Sequence, residues 1–137
     1  MDANILMRAV LGKGARRLLA CYSSPNRFLA PESAFLEAAA RLPSVIERHQ
    51  LPSDQLMAYF ESLDDVVVSI AFKEYAAFES EARLRIARRD VDDWPVVAAA
   101  LSVNCPIWTE DLDFFGCGVA TWTSDRVELY LAAAQDV

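Results

Sequence analysis

Apolar residues recur along much of the chain with the spacing of amphipathic helices. In "NILMRAVL", Ile5, Leu6, Ala9 and Val10 share one helical face, and Gly12 follows as a helix-ending residue. The same spacing in later segments predicts further helices. These segments are "ARRLLACY", residues 32–49 with an interruption at Pro43, residues 53–63 with Ser53 as N-cap, "KEYAAFESEARLRIA", the segment that Asp93 opens as N-cap, and "SDRVELYLAAA" capped by Ser124.

Short apolar runs separate these helical segments. They are "RFLA", which follows a predicted turn at "SSPN" and ends at Pro31, then "VVVSIA", "CPIW" and "GVAT". Runs this short, several of them rich in β-branched residues, are typical of buried strands. Alternation of such strands with helices predicts a three-layer α/β/α fold with a mainly parallel central sheet. We expect it to form a single domain over residues 1–137.

Composition excludes several classes of protein. An apolar fraction of 54% with 24% charged residues argues against disorder. No apolar run approaches the roughly 18–20 residues that a membrane-spanning helix needs. Asp2 directly after Met1 does not fit a secretory signal. Cys21, Cys105 and Cys117 are odd in number and lack zinc-ligand spacing, which favours a reducing cytoplasm.

The net charge of −7 argues, taken alone, against a nucleic-acid partner. Basic residues are nevertheless clustered, at Lys13, Arg16 and Arg17 and again within residues 83–89. If many of the acids lie in one metal-binding pocket, the negative net charge of the chain does not exclude a phosphate-containing substrate. Charge therefore leaves the substrate class open.

Acidic residues occur where strands end or helices begin, which is where open parallel sheets form their sites. Each has an ordinary explanation by itself, as a helix cap, a solvated helix face or an Asx turn, and Glu110 is expected to face solvent. Because the elements alternate through the sheet, acids far apart in sequence can converge. The candidates are Asp2 before the first helix, Glu37 on the helix after "RFLA", Asp93 at its helix start, and Asp111 and Asp113 in "WTEDLDFFG".

Three segments together resemble the PIN-domain family of metal-dependent ribonucleases, which includes the VapC-type toxins of bacterial toxin–antitoxin pairs. They are "MDANILMRAVLG", "DVDDWPVVAAAL" and "IWTEDLDFFGCGVATW", and the last is the most specific. The resemblance covers nearly the whole chain. It implies a PIN fold, Mg²⁺ or Mn²⁺ as cofactor, and hydrolysis of RNA phosphodiester bonds. It also leaves open a cognate antitoxin protein and a homodimer as partners.

The resemblance assigns the catalytic acids by position. We expect Asp2, Asp93 and Asp111 to be direct or near-direct ligands of the metal ion, and Asp113 and Glu37 to complete the ligand shell or orient water. Asn4 and Thr109 are expected to support these carboxylates through hydrogen bonds. Glu32 is a less favoured alternative to Glu37. Carboxylate oxygens suit Mg²⁺ or Mn²⁺, and the lack of clustered His and Cys disfavours zinc.

The sequence departs from the family pattern at its first acid. The family's first aspartate normally ends a central strand, whereas only Met1 precedes Asp2 here. Without that strand, backbone groups in the middle of the sheet would be unpaired. A catalytically inactive PIN-fold binding module is the main alternative. Phosphatases and response regulators with comparable aspartates need a downstream lysine, and Lys13 and Lys73 both precede "DLD".

Overall fold

Helices alternate with short strands in the computed structural model, which describes residues 1–24 and 26–135. The helices are α1 (Ala3–Leu11), α2 (Gly14–Tyr22), α3 (Glu32–Arg48), α4 (Ser53–Ser62), α5 (Phe72–Tyr75), α6 (Glu79–Ile86), α7 (Trp94–Val103) and α8 (Val127–Gln135). The strands are β1 (Phe28–Pro31), β2 (Val67–Ile70), β3 (Ile107–Trp108) and β4 (Thr121–Trp122). Single 3₁₀ turns lie at Leu63–Asp65, Ala76–Phe78, Val91–Asp93 and Leu112–Phe114. The predicted turn at "SSPN" includes Pro25, which lies outside the described residues.

The strands form two parallel pairs, which confirms the predicted α/β class. Strand β1 pairs with β2, and β3 pairs with β4. Met1 lies between the pairs, because its amino group donates to the carbonyl oxygen of Leu29 on β1 at 2.7 Å and it lines a cavity with Ile107 of β3. Among the described residues no strand joins the two pairs. The carboxyl ends of β1 and β3 lead into the segments that carry Glu37 and Asp111.

The core consists of two groups of buried side chains, one around α1 and α3 and the other around α7. The predicted face of α1 is fully buried, with Ile5, Leu6, Ala9 and Val10 inaccessible to solvent. Helix α7 is buried from Val96 to Ala100, as expected for a helix that is apolar on all sides. No helix in the described part of the chain is long and apolar enough to cross a bilayer. Both helices that begin at the predicted acids are thus fixed by packing.

Helix α3 runs without a break through Pro43, so the predicted interruption there is wrong. Proline removes one helical hydrogen bond and frees the carbonyl of Ala39. Pro43 and Ala39 are both exposed, so water can solvate that carbonyl. Leu42 and Ile46 remain buried on the opposite face. Burial of that face offsets the local cost of the proline, and the helix continues.

Several other boundaries differ from the predicted ones. The long helix over "KEYAAFESEARLRIA" is divided into α5 and α6 by a 3₁₀ turn, because Tyr75 packs on Trp94 with ring centroids 5.8 Å apart. Strand β4 begins at Thr121, so most of "GVAT" precedes it. The last helix begins at Val127, and the hydroxyl of Ser124 accepts a hydrogen bond from the Trp108 indole instead of capping that helix.

Candidate metal centre

The predicted acids meet in a small pocket where the starts of α1 and α7, the first turns of α3 and the loop after β3 come together. Asp2, Glu37, Asp93 and Asp111 all line this pocket, whose volume is about 90 Å³. We call it the acid pocket. Asp113 does not line it, but oxygen atoms of Asp93, Asp111 and Asp113 lie within 4.8 Å of one another. Residues from four separate parts of the sequence therefore converge.

Asp2 is held rigidly at the N-terminus of α1. It is the N-cap residue, and its Oδ1 accepts the backbone N–H of Ile5 at 2.9 Å. Its Oδ2 accepts the hydroxyl of Thr109. Only 6% of Asp2 is exposed, and this burial raises the pKa of its carboxyl group, while the bond from Thr109 opposes the change. Both carboxylate oxygens are thus oriented by the protein.

Thr109 connects Asp2 to the loop after β3. It is completely buried, and its Oγ1 also accepts the backbone N–H of Asp111 at 2.9 Å. Asp111 in turn accepts the N–H of Asp113 at 2.9 Å, which is the Asx turn that the sequence allowed. Phe114 is buried beneath the loop. The turn and the site are therefore the same structure, since the turn brings both aspartates towards Asp93.

Asp93 is the most strongly perturbed acid. It occupies the position before α7, but its side chain makes no capping hydrogen bond. Its Oδ2 is buried and has no hydrogen-bond partner among the described residues. Burial and, to a smaller extent, the charges of Asp90, Asp111, Asp2 and Glu37 together raise the pKa of Asp93 to about 7. An ordinary helix cap would lower the pKa of its carboxyl group.

The rim of the acid pocket contains an arginine that we did not predict. Arg41 donates from Nη1 to Glu37 at 3.0 Å and to the Oδ1 of Asn4 at 3.2 Å. We expected Asn4 to hydrogen-bond a carboxylate, and it contacts this guanidinium instead. The spacing of four residues between Glu37 and Arg41 was the available signal. Glu32 lies elsewhere and accepts the backbone N–H of Phe72.

The loop that carries Asp111 and Asp113 makes two side-chain contacts that the sequence did not indicate. Asp113 lies 3.7 Å from the guanidinium of Arg89, a distant pairing that no local spacing could have indicated. Glu110 was expected to face solvent, but it is half-buried and its Oε1 accepts the N–H of Ser124 at 2.6 Å. Glu110 therefore fixes the loop to the segment before α8 and is not one of the converging acids.

This donor set fits a hard divalent cation. The converging ligand atoms are all carboxylate oxygens, without His or Cys, as Mg²⁺ and Mn²⁺ prefer. The unpartnered Oδ2 of Asp93 is the specific observation, because a buried carboxylate oxygen without a donor is costly until a cation or a proton satisfies it. Asp93, Asp111 and Asp113 are positioned to hold such an ion, with Asp2 behind them.

Comparison with known proteins agrees with this arrangement. A family model described as PIN domain matches residues 1–132, which include every residue of the acid pocket. No curated protein and no solved structure matches the chain. The family match therefore carries the assignment by itself.

Proposed function

The chain belongs to the PIN-domain family, whose members are generally nucleases, and on that premise we propose that it is an endoribonuclease that hydrolyses RNA phosphodiester bonds with Mg²⁺ or Mn²⁺. The observation that carries this proposal is the convergence of Asp93, Asp111 and Asp113 around the unpartnered Oδ2 of Asp93. Like charges this close repel one another, so a cation or a bound proton stabilises the arrangement.

The five converging acids have three roles under this proposal. Asp93, Asp111 and Asp113 hold the cation, and Asp2 supports them from a position fixed by Thr109 and by the N-terminus of α1. Glu37, on the exposed rim, orients water. When bound, the cation neutralises the acid cluster, lowers the pKa of a coordinated water molecule and stabilises the leaving oxygen of the phosphodiester.

Cleavage of a labelled oligoribonucleotide in Mg²⁺, in Mn²⁺ and in EDTA tests this proposal. We expect activity in both metals and none in EDTA. Asp111→Asn is expected to abolish cleavage and to leave the protein folded, or slightly stabilised without metal because one repelling charge is lost. Asp54→Asn is the matched control, since Asp54 is exposed in the first turn of α4. Equal cleavage by wild type and Asp111→Asn would overturn the proposal.

The alternative function is that of a catalytically inactive binding module. Two contacts favour it, because Arg41 pairs with Glu37 and Arg89 pairs with Asp113, so two of the five acids already face a cation. Failure of the purified chain to cleave RNA, together with unchanged metal binding in Asp93→Asn and Asp111→Asn, is the result this alternative predicts.

The toxin role and its partners rest on the family alone. A VapC-type toxin requires a cognate antitoxin, which co-purification of the chain with its neighbouring gene product would reveal. For a homodimer, the end of α8 offers Tyr130, which is partly exposed and stacks on Trp122, whereas Leu131 is buried in the core. Light scattering of the purified chain tests the dimer.

A further inference from the structure

A larger cavity, of about 560 Å³, opens directly beside the acid pocket. We call it the α1 groove. One wall is the face of α1 that carries Asn4, Met7, Arg8 and Leu11, four residues at helical spacing. Asn4 and Asp111 line both the acid pocket and the α1 groove, so the two cavities meet at these residues. A volume of this size is in the range of ligand sites.

Arg8 supplies the positive charge of the α1 groove. Its side chain is exposed, and it forms no hydrogen bond or ion pair with any residue in the described ranges 1–24 and 26–135. Nearby arginines are engaged, since Arg16 donates to the carbonyls of Ala9 and Val10 and Arg17 pairs with Glu128. Arg8 is thus a guanidinium on the cavity wall that is available for an anionic ligand.

At the end of the α1 groove away from Asn4, the cavity is lined by the backbone of Gly12 and Gly14. A Cβ atom built on Gly14, the first residue of α2, would meet no atom within 4 Å. Lys13, the N-cap residue, has no side-chain acceptor, so its side chain does not satisfy the first N–H groups of α2. Met7 and Leu11 add apolar surface between Arg8 and Gly14. The groove therefore combines a guanidinium that has no partner among the described residues, an apolar wall and accessible backbone, together with the carboxylates of Glu110 and Asp111.

We propose that the α1 groove receives the stretch of RNA next to the scissile phosphate and that Arg8 is a positioning residue that binds a flanking phosphate. The inference rests on the proposed function and identifies where the substrate chain enters. Arg8 lies one helical turn, about 6 Å, beyond Asn4 along α1, so it serves a neighbouring phosphate and not the one at the acid pocket. A guanidinium is suited to bidentate binding of phosphate oxygens.

Charge explains why such a residue is needed. The whole chain carries −7, and the acid pocket adds a local concentration of carboxylates. A polyanionic substrate must therefore find cations outside the pocket as well as inside it. Binding at Arg8 is equal in the ground and transition states, so its loss raises KM and leaves kcat unchanged.

Arg8→Ala and Arg8→Lys, with Arg48→Ala as control, test the role of the charge. Arg48 is exposed near the far end of α3 and lines neither cavity. Arg8→Ala is expected to raise KM for a single-stranded oligoribonucleotide about tenfold. Loss of one phosphate contact also reduces the slope of log KM against log salt by roughly 0.7. Arg8→Lys keeps the slope, and Arg48→Ala changes neither quantity. A merely structural role for Arg8 would not alter the salt dependence.

Gly14→Phe tests the groove itself. Because the position is open and its backbone is not in the left-handed region, the new ring can enter the cavity without disturbing the fold. We expect a raised KM with an unchanged melting temperature. The inference is overturned if Arg8→Ala and Gly14→Phe both leave KM and its salt slope at wild-type values.

A binding measurement separates this inference from the proposed function. Fluorescence anisotropy of the same oligoribonucleotide in Mg²⁺ compares Asp93→Asn with Asp93→Asn/Arg8→Ala. We expect the second protein to bind about tenfold more weakly. If the wild type cleaves no RNA but this difference is found, RNA binding in the α1 groove is supported and the nuclease proposal fails. If the wild type cleaves RNA and the difference is absent, the groove is wrong and the nuclease proposal stands.

Discussion

The Asp93 carboxyl group is partly buried beside other acids, and its pKa of about 7 lies far above the ordinary value of 3.8. Between these two values the folded protein binds more protons than the unfolded chain. Asp93 therefore lowers the free energy of unfolding by its full amount above pH 7, and this loss disappears as the pH falls towards 4. At the residue scale, burial and neighbouring carboxylates make ionised Asp93 unfavourable, and a bound proton or cation removes that cost.

We predict from this that, without divalent cations, Asp93 makes the free energy of unfolding increase as the pH falls from 8 to about 5. Urea denaturation in EDTA at several pH values measures it. The difference between wild type and Asp93→Asn isolates Asp93 from the Met1 amino group, whose burial lowers its pKa and acts in the opposite sense. A difference that does not vary with pH would contradict the prediction.

Thr109 is predicted to be essential for both stability and activity. Thr109→Val removes the donor to Asp2 and the acceptor for the Asp111 N–H, and leaving such buried groups unpaired costs about 1–3 kcal/mol. Urea denaturation measures the stability, and oligoribonucleotide cleavage at a temperature where the variant is folded measures the activity. Thr121→Val is the control, because that hydroxyl donates only to the nearby carbonyl of Val119. Wild-type cleavage by Thr109→Val would show that Asp2 does not need this support.

At the scale of the elements, periodicity was sufficient to predict most helices and strands. The buried face of α1 and the strands around β1 and β2 follow directly from local patterns of apolar residues. Two features that the local pattern did not predict depend on contacts between residues distant in sequence. The break between α5 and α6 follows from packing of Tyr75 on Trp94, and the Arg89–Asp113 pair joins separate loops. The positions of the acids could be predicted because each follows a strand, begins a helix or, in the case of Glu37, lies on the helix after a strand.

Helix α3 provides a prediction about Pro43. Replacing Pro43 with alanine restores a hydrogen bond to the Ala39 carbonyl, because α3 is already continuous there. We expect Pro43→Ala to raise the free energy of unfolding by about 1–3 kcal/mol. Thermal and urea denaturation measure it. Pro52→Ala, before the start of α4, restores no helical bond and should give no comparable gain. A destabilised Pro43→Ala protein would mean that the proline favours the observed path of α3.

For the whole molecule, charge is distributed between two adjoining cavities. The acid pocket concentrates carboxylates, and the α1 groove adds the guanidinium of Arg8, which pairs with no acid among the described residues, beside Glu110 and Asp111. The net charge of −7 is therefore a poor guide to nucleic-acid binding under the proposed function, because a cation bound among Asp93, Asp111 and Asp113 would offset the charge where it is most negative.

The most direct test of the central claim is to locate a bound cation. Crystals of the chain grown with Mn²⁺ allow the ion to be identified by its anomalous scattering. We predict a peak within coordination distance of Asp93 and Asp111, with Asp113 completing the site, and its loss in Asp111→Asn. Mn²⁺ bound only elsewhere, or an acid pocket that stays empty at saturating Mn²⁺, would contradict the claim that these carboxylates form a metal-dependent active site.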